Sequence, residues 1–177
     1  MKNFFYTLLL VLFSCQCGHK EENIITQFPG EPVVPSSIKA EHEYLLEKIQ
    51  KITLFQDSTG RAAVKLGDLM QHHFKEEEDF VLPQLGLLPL LADGKLPGQS
   101  KEVIQICEQL KSQLTHLNVE HQLIKAFMDE LMQAAAVDNH PEIIELEKEL
   151  QKHAKTEEEV FFPAAILVGE YLKLKSL

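Results

Sequence analysis

Six side chains able to bind a metal ion recur in two matching sets: His42, His73 and Glu77, then His121, His153 and Glu157. The first interval is 31 residues in one set and 32 in the other. Each second histidine opens the same phrase, His-x-x-x-Glu with a proline ten residues after the histidine, running from His73 to Pro83 and from His153 to Pro163. Neutral imidazole nitrogen and carboxylate oxygen are donors for divalent or trivalent metal. On a helix, a histidine and a glutamate four apart lie within about 40° of one another, so one helix can offer both to the same ions. A repeat that keeps His and Glu while its neighbours change describes one site with two similar halves.

The elements that must position these groups are helices. Apolar residues recur at alternating intervals of three and four, the spacing of a helix face turned to a core. One series runs Ile38, His42, Leu45, Ile49, Ile52, and its counterpart runs Val103, Cys107, Leu110, Leu114, Leu117, His121, Ile124, Met128, Leu131. A second pair runs Ala63, Leu66, Met70, His73, Glu77, Phe80 and Ile143, Leu146, Leu150, His153, Glu157, Val160. The six polar groups take steps where Leu or Ile would fit, so they belong to the core. A buried carboxylate without a partner costs several kcal/mol, and an unpaired imidazole roughly 1–3 kcal/mol. Six together would consume most of the ~5–15 kcal/mol that stabilises a domain of this size. Metal ions satisfy all six at once.

Four helices follow, and the fold class is all-α. The first spans about 36–57 with Ser36 or Ser37 as its N-cap, and the second runs from Ser58 or Thr59 to near Leu82. The third covers about Ser100 to Val137. The fourth runs from about Asn139 to Leu172, with a kink or break expected at Pro163. The stretch from Pro83 to Gln99 reads as a loop over one end. An antiparallel up-down-up-down four-helix bundle is the economical topology.

This arrangement, a His and then His-x-x-x-Glu-x-x-x-x-x-Pro, twice over four helices, resembles the hemerythrin-like HHE cation-binding family across about 38–172. The resemblance implies a non-haem centre of two iron ions inside the bundle. His42, His73, His121 and His153 would be terminal ligands, and Glu77 and Glu157 carboxylates bridging both ions. It departs from the oxygen-carrying hemerythrins. Those have His-x-x-x-His on the third helix and His-x-x-x-x-Asp on the fourth, whereas His116 and His121 are five apart here and Glu157 replaces the Asp. Four imidazoles leave more open coordination, which points to relatives that handle oxygen, nitric oxide or iron. Two ferrous ions bring four positive charges and the glutamates return two, so a further anion is expected. Glu76 and Glu158 lie near but read as solvated, and His72, His19 and His140 read as outward-facing.

Other classes are weighed against this. Ferritin-like di-iron bundles need Glu-x-x-His, and no histidine here has Glu three residues before it. An enzyme reducing nitric oxide or peroxide would use the same residues, as would a structural zinc or manganese bundle. The net charge of −10 offers no basic patch for nucleic acid. With three cysteines and no Cys-x-x-Cys, neither a disulfide framework nor a thiolate zinc site is supported, and Cys107 falls on a core step.

Residues 1–14 form a separate region. Lys2 precedes an apolar run from Phe4 to Phe13, and Leu12-Phe13-Ser14-Cys15 has the form of a lipobox. That pattern predicts a bacterial lipoprotein signal cleaved before Cys15, which would then carry lipid. The run is only about half of the ~20 residues that a membrane helix needs. Residues 15–36 read as the lipidated cysteine and a flexible tether, and 37–174 as the bundle. The expected location is the cell envelope, on its periplasmic or surface side, with the membrane touched only through the lipid.

Overall fold

A computed structural model of the chain describes residues 30–177. The leader, Cys15 and the tether as far as residue 29 lie outside the described residues. Four long rods pack side by side, and no strand occurs among the described residues. Helix α1 is Ser36–Thr53 and buries Ile38, His42, Leu45, Ile49 and Ile52 at the expected steps. Helix α2 is Ser58–Glu76, continued by a π-helical turn, Glu77–Val81. A 3₁₀ turn, Pro83–Leu87, and a short α3, Leu88–Ala92, follow. Helix α4 is Ser100–Asp138. The last rod joins α5, Ile143–Thr156, through a second π turn, Glu157–Phe161, to α6, Phe162–Lys175.

The rods close into a ring, α1 on α2, α2 on α4, α4 on α5 and α6, and α5 on α1. Neighbours run in opposite directions: Thr59 near the start of α2 meets Asp138 at the end of α4, while Glu76 at the end of α2 faces His116 in mid-α4. This is the antiparallel four-helix bundle that the periodicity predicts. Its apolar core is divided. One cluster joins residues such as Leu45, Leu66, Met70, Leu131 and Leu146, and another joins Ile38, Val81, Leu82, Leu117 and Phe162. On every rod, the metal-capable residues sit between these two dry clusters.

Details of the elements differ from expectation. Helix α1 ends at Thr53, and its N-cap position is Pro35, with no side-chain cap from either serine. Helix α2 is capped instead by Asp57, whose carboxylate accepts from the Gly60 N–H at 3.1 Å. Pro163 neither breaks nor ends the last rod. A proline ring clashes with the carbonyl four residues back in an α-helix, and the π turn before it widens the backbone there. The Leu82 N–H reaches back five residues to the Glu77 carbonyl, and Phe162 N–H to that of Glu157. Each extra residue retards the core face beyond it. Phe80 and Val160, expected inside, are 43 % and 53 % exposed, and Val81 and Phe162 take their places.

The segment after Pro83 is more ordered than a plain loop. Leu85 and Leu87 are buried, Leu87 in a third cluster with Val103, Cys107, Val168 and Leu172. Packing also reaches back before α1. Val34 is buried, and Gly86 lets the Val33 carbonyl come so near that a Cβ there would sit 2.1 Å from it.

Candidate metal centre

Histidines from four rods and glutamates from two meet in the gap between the apolar clusters. His42 comes from α1, His73 from α2, His121 from α4 and His153 from α5. Glu77 and Glu157 each occupy the first position of a π turn. All six are at most 5 % exposed. The structure therefore brings together every residue that the repeat singles out.

They form two overlapping groups. His42 and His153 converge with Glu77 and Glu157, and His73 and His121 converge with the same two glutamates, the donor atoms of each group lying within 4.8 Å of one another. Each group of four could hold a metal ion. His73 Nε2 is 3.4 Å from Glu77 Oε1, and His121 Nε2 is 3.4 Å from Glu157 Oε2. His42 Nε2 is 3.8 Å from Glu77 and 3.6 Å from Glu157. His153 Nε2 approaches Glu157 Oε1 to 2.8 Å, but the pair is not aligned as a hydrogen bond.

Both oxygens of Glu77 and of Glu157 are fully buried without a hydrogen-bond partner, as is Nε2 of His42 and of His153. Orphans of this kind are rare in folded proteins, since each costs its full desolvation. Here they all point at one another. The donor set, imidazole nitrogen and carboxylate oxygen, suits a cation in their midst. Electrostatics agree. Burial, and next the facing Glu157 carboxylate, pushes Glu77 well above the usual carboxylate range. Burial acts in the same sense on Glu157, but His121, His153 and His42 outweigh it and hold that carboxyl well below the usual range.

The far side of three of the four rings is held as well. Nδ1 of His42 lies 2.9 Å from Glu78, that of His73 3.0 Å from Glu120, and that of His121 2.7 Å from Glu158. His153 Nδ1 lies 3.5 Å from Glu41, a looser approach. An ionised carboxylate only accepts, so it fixes the proton on Nδ1 and leaves Nε2 free to bind metal. Burial lowers the His73 pKa, opposed by Glu120; in His121 the same effect is overcome by Glu157 and Glu158, and the pKa is raised.

Sequence reasoning passes over Glu41, Glu78 and Glu120; Glu158 is exposed, as it reads, yet it also reaches the His121 ring. Their signal was present. Glu41 and Glu120 each precede a histidine, Glu78 and Glu158 each follow an inward glutamate, and both pairs obey the repeat. Aromatic rings complete the walls: Phe74 stacks on His42 with centroids 3.9 Å apart, and Phe162 lies over His121 at 5.9 Å. A groove of about 330 Å³ between α4 and α5 reaches His121, flanked by Glu158, Lys125, Leu150 and Ala154. His116 stands apart from the centre, 53 % exposed.

The chain matches the family model described as the hemerythrin HHE cation binding domain over residues 33–165. Neither a curated protein nor a solved structure matches it. With three quarters of its length covered by that model and the twofold His and Glu pattern gathered in one core, the chain belongs to the hemerythrin HHE cation-binding family.

Proposed function

We propose that the chain is a di-iron protein of the cell envelope that binds oxygen or nitric oxide, or handles iron. The six ligands are His42, His73, Glu77, His121, His153 and Glu157. The observation that carries the reading is that Glu77 and Glu157 belong to both donor groups. Two carboxylates common to two sets of imidazoles are what a bridged pair of ions requires. Imidazole together with carboxylate suits iron among the candidate metals. Iron bound there would supply redox-active Lewis acidity and open coordination for a diatomic ligand.

The protein's own residues supply the rest. Glu78, Glu120 and Glu158 orient three imidazoles and hold the proton at Nδ1. Phe74, Phe162 and the apolar clusters on either side exclude bulk water. The groove beside His121 offers a small molecule a way to the edge of the centre. Location rests on the Leu12-Phe13-Ser14-Cys15 pattern, with Cys15 as the lipidated residue; no described helix is long and apolar enough to cross a membrane.

Anaerobic reconstitution with ferrous iron tests the reading. Two irons per chain are expected, with a visible absorption change on adding oxygen or nitric oxide. His73→Leu should lose most of the iron while keeping its helix content. Unchanged iron in that variant would refute His73 as a ligand, and spectral silence toward both gases would refute the diatomic role.

A further inference from the structure

A second constellation of histidines and glutamates lies on the surface, outside the buried centre. His72 and Glu76 are four apart on α2, and His116 and Glu120 are four apart on α4. The two helices run antiparallel, so each histidine faces the glutamate of the other. His72 Nδ1 is 3.7 Å from Glu120 Oε1 and 4.0 Å from Glu76 Oε2. His116 Nε2 is 3.5 Å from Glu76 Oε2 and 3.7 Å from Glu120 Oε1. Donor atoms of His72, Glu76 and Glu120 all lie within 4.8 Å of one another.

These distances decide what the cluster is. A hydrogen-bonded network closes to about 2.7–3.2 Å. None of these four contacts does so, although both histidines are exposed enough to move. Ligands about 2.0–2.2 Å from a tetrahedral ion stand roughly 3.3–3.6 Å apart, so the 3.5–4.0 Å separations here need close in only slightly around an ion. Glu120 adds an independent sign. It is 5 % exposed, an unusual place for a carboxylate. His73 takes only its Oε2, while Oε1 is aimed at the two surface imidazoles.

We infer that His72, Glu76 and Glu120 form a third cation site, taking one divalent first-row transition-metal ion between α2 and α4, with His116 near enough to Glu76 and Glu120 to join them. Imidazole with carboxylate is a borderline donor set, suited to zinc or cobalt rather than calcium or magnesium. Glu120 is shared. One oxygen serves the surface ion and the other holds the His73 ring toward the interior, so the two sites touch through a single carboxylate.

Equilibrium dialysis of the iron-reconstituted full chain against Co²⁺ tests the site. One cobalt per chain is expected beyond the iron, with visible ligand-field bands. His72→Ala/His116→Ala should weaken cobalt binding by roughly tenfold or more, with iron content and circular dichroism unchanged. No cobalt bound, or equal binding by the variant, overturns the site. The dialysis is repeated on His42→Leu/His153→Leu, which removes two inner imidazoles and leaves the surface cluster whole. Cobalt binding that survives there and disappears on adding His72→Ala/His116→Ala supports the surface site whatever metal the interior holds. Cobalt binding lost with the inner histidines alone overturns it.

Discussion

Glu77 and Glu157 are the most deeply buried residues of the centre, and neither has a hydrogen bond to either carboxyl oxygen. A bridging role makes a sharp prediction. Glu157→Gln keeps the shape but removes one negative charge from a position common to both donor groups. Magnetic coupling between the two reconstituted ions should fall, and retained strong coupling would count against a bridge at Glu157. At this scale the sequence was highly legible, since His and Glu on core steps are costly and so stand out. The outer carboxylates were not. Glu41, Glu78, Glu120 and Glu158 sit beside core steps, where an acidic residue is ordinarily solvated. Only the three-dimensional contacts show that Glu78, Glu120 and Glu158 turn back to a ring nitrogen. His72 and His116 were hidden for the same reason, since their partnership spans two helices.

Among the elements, the π turns explain the main error in phase. A strict alternation of three and four places Phe80 and Val160 inside, and periodicity alone does not count the one residue that each π turn inserts. The prolines at 83 and 163 were the available signal, pointing to a disturbed backbone but not to its form. Beyond the second π turn, α6 crosses α4 closely. A Cβ on Gly169 would lie 2.4 Å from Cys107 Cβ and 3.0 Å from its sulfur. Gly169→Ala should therefore destabilise by about 1–3 kcal/mol through overpacking, despite a helix-propensity gain of up to ~1 kcal/mol. Urea unfolding reads the difference. Cys107→Ala should not rescue it, because the nearer clash is with Cβ; a neutral or stabilising Gly169→Ala would refute the close crossing. At the opposite end, Asp138 on α4 accepts from the Ser58 hydroxyl and from the Thr59 N–H and hydroxyl, which ties down the start of α2. The Ser58 hydroxyl, then that of Thr59, lowers its pKa to about 2. A depressed carboxyl pKa stabilises the fold above the unfolded value of ~3.9, and that contribution is lost as pH falls through the folded value. The gap in Tm between the parent and Asp138→Ala should hold from neutral pH to about 4 and close toward about 2. A gap that persists at pH 2 would show that the charge is not responsible.

For the whole molecule, the decisive fact is that a polar layer divides the apolar core into clusters on either side. Hydrophobic burial cannot compensate the layer locally, because the carboxyl oxygens at its centre are buried without hydrogen-bond partners. Stability must then be linked to the cation. A ligand that binds only the folded chain adds about 2.7 kcal/mol at a hundredfold excess over its Kd. For a chain of this size, each kcal/mol moves Tm by roughly 2–4 °C, so removing metal should lower it by about 5–11 °C. Thermal unfolding with and without chelator, followed by circular dichroism, measures this. The control decides the cause. In His42→Leu/His153→Leu one of the two donor groups loses its imidazoles while His73, Glu77, His121 and Glu157 remain, so the chelator effect from the centre should shrink by about half, whereas His72→Ala/His116→Ala should keep it whole. If chelator leaves the parent Tm unchanged, the polar layer is satisfied by its own hydrogen bonds and the argument for buried metal fails.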